Sequence, residues 1–147
     1  MSTLEYISRA LANLGRRRII MDHVDASQEY MHRHYLYGKP DGDKHGPIEI
    51  CLHKILCSDD DFLHNHPSPY LAILLSGSYR EHTPSGSYIR RPGHIRVRGR
   101  HALHRLELVS GPVWTIFVML KRIPGPSQWE FLVNGKLVDH ETHLGIK

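Results

Sequence analysis

The 147-residue chain carries 19 Lys and Arg against 15 Asp and Glu, a formal charge of +4 with its 13 histidines neutral. A hydrophobic content of 40% is too high for a disordered chain, two cysteines cannot build a disulfide framework, and no apolar run reaches the roughly 18 residues of a membrane span. A single domain is expected, in a reducing compartment that the cysteine usage suggests is the cytoplasm, and the histidine surplus is left to explain.

The first predicted element is an amphipathic helix. Ser2 can cap it, Glu5 stands three residues on as a capping box requires, and Leu4, Ile7, Leu11 and Leu14 fall at helical spacing. Gly15 suits the position after the C-cap. Arg16, Arg17 and Arg18 follow at the negative end of the helix dipole. Residues 1–22 therefore read as a helix with a basic segment, packed on the domain body or presented to a partner. Residues 1–15 lack the basic, apolar, small-residue order of a signal peptide.

From position 29 the texture becomes strand-like, and residues 23–147 read as a β domain. Residues 30–37 lead to the turn Gly38-Lys39-Pro40-Asp41-Gly42, and residues 48–56 are broken by Ser58-Asp59-Asp60-Asp61, read as a solvated turn. Residues 70–75 close on Ser76-Gly77, 78–83 on Pro84-Ser85-Gly86, and 87–91 on Pro92-Gly93. Residues 95–98 and 103–109 alternate, the latter ending at Ser110-Gly111-Pro112, and 114–120 precede the loop Pro124-Gly125-Pro126-Ser127. Residues 129–133 and 136–138 flank Asn134-Gly135, a two-residue hairpin signature. Short strands at this spacing give an all-β, antiparallel sandwich or barrel.

Histidines concentrate at His64, His66, His82, His94, His101 and His104. On an extended segment residues i and i+2 share a face, so His64 and His66 can hold one ion together, and His104 on a neighbouring strand adds a third nitrogen. Leu106 and Leu108 share its face and mark that face as inward. Imidazole suits Fe, Ni, Cu and Zn. Arg90, Arg91, Arg96, Arg98, Arg100 and Arg105 form a second concentration. If Ile95 and Val97 face the core, Arg96 and Arg98 point outward, either as a solvated face or as a site for a carboxylate, phosphate or other anion. A charge of +4 is too small to require nucleic acid.

The histidine spacing resembles that of the small single-domain cupins. His64, His66 and Gly77 match the first cupin motif, and Gly93 and His104 match the second. The Glu of the first motif falls at Tyr70 or Leu71, and the Pro and inner Gly of the second fall at Gly99 and His101. A closer resemblance, to small bacterial and phage cupin-like proteins, covers about residues 30–143. It runs through His53-Lys54-Ile55-Leu56, Leu63-His64-Asn65-His66-Pro67, Leu75-Ser76-Gly77-Ser78-Tyr79-Arg80-Glu81-His82-Thr83-Pro84, Arg90-Arg91-Pro92-Gly93 and His104-Arg105-Leu106-Glu107-Leu108. Trp129-Glu130-Phe131 stands where such proteins tend to have Trp-Gly-Phe.

The resemblance implies one jelly-roll β-barrel with a divalent transition metal in its mouth. His64, His66 and His104 are the implied ligands, and Fe(II) is favoured over Zn, Ni or Mn. With the carboxylate missing, the site resembles the three-histidine iron sites of thiol and diketone dioxygenases. His82 or Glu81 could add a ligand or a hydrogen-bond acceptor behind one, or form an exposed rim pair. His101 is expected at the pocket edge, and Tyr70 could line the pocket. Three functional classes follow: an Fe(II) oxygenase acting on a small molecule, a metal- or ligand-binding cupin without turnover, and a metal-free structural or interaction protein. A homodimer is expected by analogy, and no membrane partner.

Overall fold

The computed structural model describes residues 1–40, 46–122 and 129–145; the turn residues Asp41 and Gly42, His45, and the loop Pro124-Gly125-Pro126-Ser127 lie outside them. Helix α1 (Thr3–Asn13) starts as the capping pattern requires, with the Glu5 N–H donating to Ser2 Oγ at 3.2 Å. It packs on the domain body. Ser8, buried on its inner side, meets His34 Nε2 at 2.8 Å, and Glu5 pairs with Lys54 at 2.7 Å. Among the described residues no helix is long and apolar enough to cross a membrane.

The basic segment after α1 is a strand rather than a charged tail. β1 (Arg17–Met21) pairs antiparallel with β2 (Glu29–Tyr37), with Ile19 opposite His32. As a five-residue edge strand rich in charge, it lacks the alternation that marks a half-buried strand. Arg16 is fixed just ahead of it, with its guanidinium donating to the Tyr35 and Gly38 carbonyls at 2.7 and 2.8 Å. β3 (Ile48–Ile55), β4 (Tyr70–Thr83), β5 (Gly86–Arg90), β6 (Ile95–Arg98) and β7 (Arg105–Leu120) complete an antiparallel sheet in the order β1-β2-β3-β7-β4-β5, with β6 also on β4. β8 (Glu130–Val133) and β9 (Lys136–Asp139) form the expected hairpin, with Asn134 and Gly135 both at positive φ. A short helix, α2 (His140–Leu144), follows. Its cap is Asp139, whose side chain accepts from the Thr142 N–H, and it was not foreseen in the sequence.

Two expected turns prove to be bends inside long strands. β4 runs 14 residues through Ser76-Gly77, and β7 runs 16 through Ser110-Gly111-Pro112. The bends face each other, and the β4–β7 register slips between Leu74 and Tyr79. Gly77 sits at φ +80°, where a Cβ would lie 2.7 Å from the Pro112 carbonyl oxygen and 2.8 Å from that of Ser110. Only glycine fits without moving backbone. Gly77→Ala is expected to lose about 2–3 kcal/mol of stability in urea denaturation, and a loss below about 0.5 kcal/mol would contradict this reading.

The bulge changes which side chains face inward. Tyr70 and Leu74 are buried, and past the slip so are Tyr79 and Glu81, although strict alternation would set Tyr70 and Glu81 on opposite faces. One apolar cluster of the interior is Met31, Ile55, Leu74, Tyr79 and Val113, with Leu106 and Leu108 packed against it as expected; Tyr35, Cys51, Leu52, Tyr70, Trp114 and Phe131 are buried as well. Polar side chains share the interior, with His34, His53, His64 and His104 among them.

Candidate metal centre

His64 and His66 lie between β3 and β4, and His104 directly precedes β7. His64 and His104 exchange both backbone hydrogen bonds, each 2.9 Å, so their side chains leave on the same side. His66, two residues on, shares that side. The three rings stand with centroids 5.1–5.3 Å apart. One nitrogen from each lies within 4.8 Å of the others. His66 Nε2 and His104 Nε2 are 2.9 Å apart, a gap that a shared proton or a shared ion would bridge.

The intervening residue has its own role. Asn65 clamps the β8–β9 hairpin: its Nδ2 donates to Glu130 Oε2 and its Oδ1 accepts from the Glu130 N–H, both at 2.8 Å. The hairpin thereby lays Trp129 and Phe131 against the His64 ring, at 6.0 and 5.7 Å. On the other side Tyr70 stacks on Phe117 at 4.6 Å and brings its hydroxyl 3.2 Å from His104 Nε2.

Burial holds the His64 and His66 pKa values below the ordinary histidine range; the neighbouring histidines reinforce this at His66, and the Asp59 charge opposes it at His64. Both rings are therefore neutral at physiological pH, the state a metal requires. His64 Nδ1 is buried and has no hydrogen-bond partner among the described residues, which is uncommon for a buried nitrogen unless an ion or water is missing beside it. Three converging imidazoles, of which His64 and His66 are held neutral by burial, fit a divalent transition ion.

Glu81 is not on the rim. It is 1% exposed. Arg90 approaches its carboxylate at 2.7 Å, Arg98 at 3.0 Å and Arg96 at 3.3 Å, while His104 Nδ1 lies 3.3 Å away. Arg96 and Arg98 likewise point inward, opposite to the sequence expectation. β6 pairs with the inner half of β4, Arg98 opposite Tyr70 and Arg96 opposite Ala72, so Val97 and Ile95 face solvent at 70% and 57% exposure. Alternation located two faces here, but hydrophobicity chose the wrong one, because this part of the interior is ionic. Arg90, Arg96, Arg98 and His101 also line a cavity of about 530 Å³. His101 itself is exposed. His82 leaves β4 on the face away from the triad and binds Glu107 and Ser87, both at 2.7 Å.

The Ser58-Asp59-Asp60-Asp61 stretch is only partly the solvated turn expected of it. Asp61 is exposed, but Asp59 accepts from the Tyr30 hydroxyl and from the Leu106 N–H, and stands 4.0 Å from His64 Nε2. Asp59, Asn65, Trp129 and Phe131 thus belong to the surroundings of the site. All four lie in stretches that stand out in the sequence, though none of them as part of the site.

No family model and no curated protein matches the sequence. Solved structures do resemble the fold. KdgF from a Halomonas species is 15% identical over 63% of this chain and 82% of its own, with a TM-score of 0.50. The polyketide cyclase RemF from Streptomyces resistomycificus is 18% identical over 64% of this chain and 68% of its own, at 0.51. A cupin-2 domain protein from Shewanella frigidimarina is 10% identical over 59% of this chain and 82% of its own, at 0.45. The chain shares the antiparallel β fold of KdgF and RemF. At these identities the likeness establishes architecture alone, and function must be argued from the site.

Proposed function

We propose that this protein is a metal-dependent enzyme of the non-haem Fe(II) oxygenase type, acting on a small organic anion through His64, His66 and His104. The observation that carries the proposal is the convergence of His64, His66 and His104, with one nitrogen of each within 4.8 Å of the others and with His64 and His66 held neutral by burial. Glu81 accepts from His104 Nδ1–H and so presents Nε2 toward His66. Arg96 and Arg98 stand between Glu81 and the cavity. A guanidinium has five N–H donors, so each can bind Glu81 and still orient a substrate carboxylate. Trp129 and Phe131 exclude water from the His64 side. His64, His66 and His104 would hold a ferrous ion, which would supply one-electron chemistry there.

A second reading is favoured by Tyr70. Its hydroxyl at His104 is a proton-bearing group, held neutral mainly by burial, in the place where the family motif has a carboxylate. That arrangement suits elimination or cyclisation at an ion acting as a Lewis acid, such as Zn, Ni or Mn. The two readings separate experimentally. The chain loaded anaerobically with Fe(II) and exposed to nitric oxide is expected to give the S = 3/2 electron paramagnetic resonance signal of an open iron site, and His66→Ala to remove the share of it that comes from the triad. Iron binding without that signal would exclude the oxygenase reading. Loss of all metal binding only on changing residues outside the triad would exclude both.

A further inference from the structure

A second cluster lies outside the triad. His23 follows β1, Asp60 lies between β3 and β4, and His143 belongs to α2. Both imidazoles aim Nε2 at one oxygen, Asp60 Oδ2, His23 at 2.9 Å and His143 at 3.4 Å, and the three ligand atoms lie within 4.8 Å of one another. We infer that His23, Asp60 and His143 form a zinc-class metal site that clasps the C-terminal helix to the domain.

The parts are oriented as a metal site requires. Asp60 Oδ1 accepts from the Phe62 N–H at 3.1 Å, which fixes the carboxylate and leaves Oδ2 for the imidazoles. The His143 ring stacks on Phe131 at 4.2 Å and meets the Phe62 ring edge-on at 4.9 Å, so its direction is set by packing. Two imidazoles and one carboxylate match Zn²⁺, or Co²⁺ as its probe, better than Ca²⁺ or Mg²⁺, which prefer oxygen ligands. The cluster borders a cavity of about 560 Å³ whose wall also carries Asp22, Asp59 and Asp61, a negative surface that draws cations. Side-chain exposures of 28% for His23, 11% for Asp60 and 13% for His143 give an ion a path from solvent.

The fold also needs a fastening here. α2 has five residues and buries none of them, and so short a helix does not hold by itself. It follows the β8–β9 hairpin, which covers the triad. Phe131 connects the two clusters, with its ring against His64 at 5.7 Å, His143 at 4.2 Å and His23 at 6.0 Å. An ion at the second cluster would therefore steady the hairpin that shields the first.

Zn²⁺ titration of the full chain against a chromophoric chelator tests this. Two equivalents are expected to bind. His23→Ala and Asp60→Asn should each weaken one equivalent by about 100-fold or more and leave the triad's equivalent unchanged, while His64→Ala with His66→Ala should do the converse. Neither single change at the second cluster disturbs the packing of His143 between Phe62 and Phe131. With Co²⁺, His23→Ala should lose a visible absorption band that the triad variant keeps. The inference is overturned if His23→Ala and Asp60→Asn bind Zn²⁺ with the stoichiometry and affinity of the parent chain, or if the triad variant binds none. Failure at the triad alone leaves the second equivalent in place, so the two proposals are judged separately.

Discussion

Glu81→Ala is expected to destabilise the protein by about 3 kcal/mol or more in urea denaturation, and to weaken metal binding at the triad by about 10- to 100-fold. The carboxylate is buried among Arg90, Arg96 and Arg98, each within 3.3 Å of it. Removing it leaves three guanidinium groups converging on a space without counter-charge. Those groups are 12–26% exposed, so water screens part of their repulsion, and the lower end of the 3–5 kcal/mol range for breaking a buried pair applies. Glu81→Gln keeps the volume and one acceptor but loses the charge, and should fall between parent and alanine variant. Metal affinity changes because Glu81 Oε1, 3.3 Å from His104 Nδ1, fixes which nitrogen of that ring carries its proton. Burial pushes the Glu81 carboxyl upward, but the hydrogen bonds from His104 and Arg90 and the Arg98 charge outweigh it and bring the pKa down to about 2. Its contribution is therefore present above the unfolded carboxylate range and is lost as pH falls from there through about 2. A Glu81→Ala variant within about 1 kcal/mol of the parent would show that solvent, not Glu81, compensates the arginines.

The triad was legible in the sequence because its signal is local. His64 and His66 share a face by spacing alone, and the alternation at Leu106 and Leu108 turned His104 inward. The capping residues of α1 and the Asn134-Gly135 turn were legible for the same reason, each being decided within four residues. The sequence left Glu81 open between an acceptor behind a ligand and a rim position because its facing depends on a register slip at Gly77, and Gly77 is required by the carbonyls of Ser110 and Pro112 more than thirty positions away. Arg96 and Arg98 were misplaced by the premise that an interior is apolar. That premise fails where one carboxylate makes it favourable to bury charge. His23, Asp60 and His143 carry no spacing signal at all, since three connections from separate parts of the chain bring them together.

Acidification of the metal-free protein below about pH 6.5 is expected to lower its stability well before any carboxylate titrates. His53 is buried, stacked on Phe117 at 4.8 Å, and accepts from Arg33 Nε at 3.1 Å. Burial first, then the Arg33 charge, hold its pKa well below 6.5. His34 is fully buried between Ser8 Oγ and the Leu52 carbonyl, and burial lowers its pKa against the effect of that carbonyl. An unfolded histidine takes up its proton near pH 6.5, whereas these two bind theirs only at lower pH. Between the two values the unfolded chain holds more protons, so stability falls as pH falls, and the loss stops once the folded rings also protonate. Each pK unit of depression corresponds to about 1.4 kcal/mol. His64 and His66 are shifted in the same direction and add to the slope. His53→Gln keeps an acceptor for Arg33 without a titrating ring. Urea midpoints measured in chelator from pH 7.5 to 5 should therefore fall less steeply in that variant than in the parent. Parallel curves would mean that His53 accepts a proton in the fold as readily as in the open chain, which its contact with Arg33 forbids.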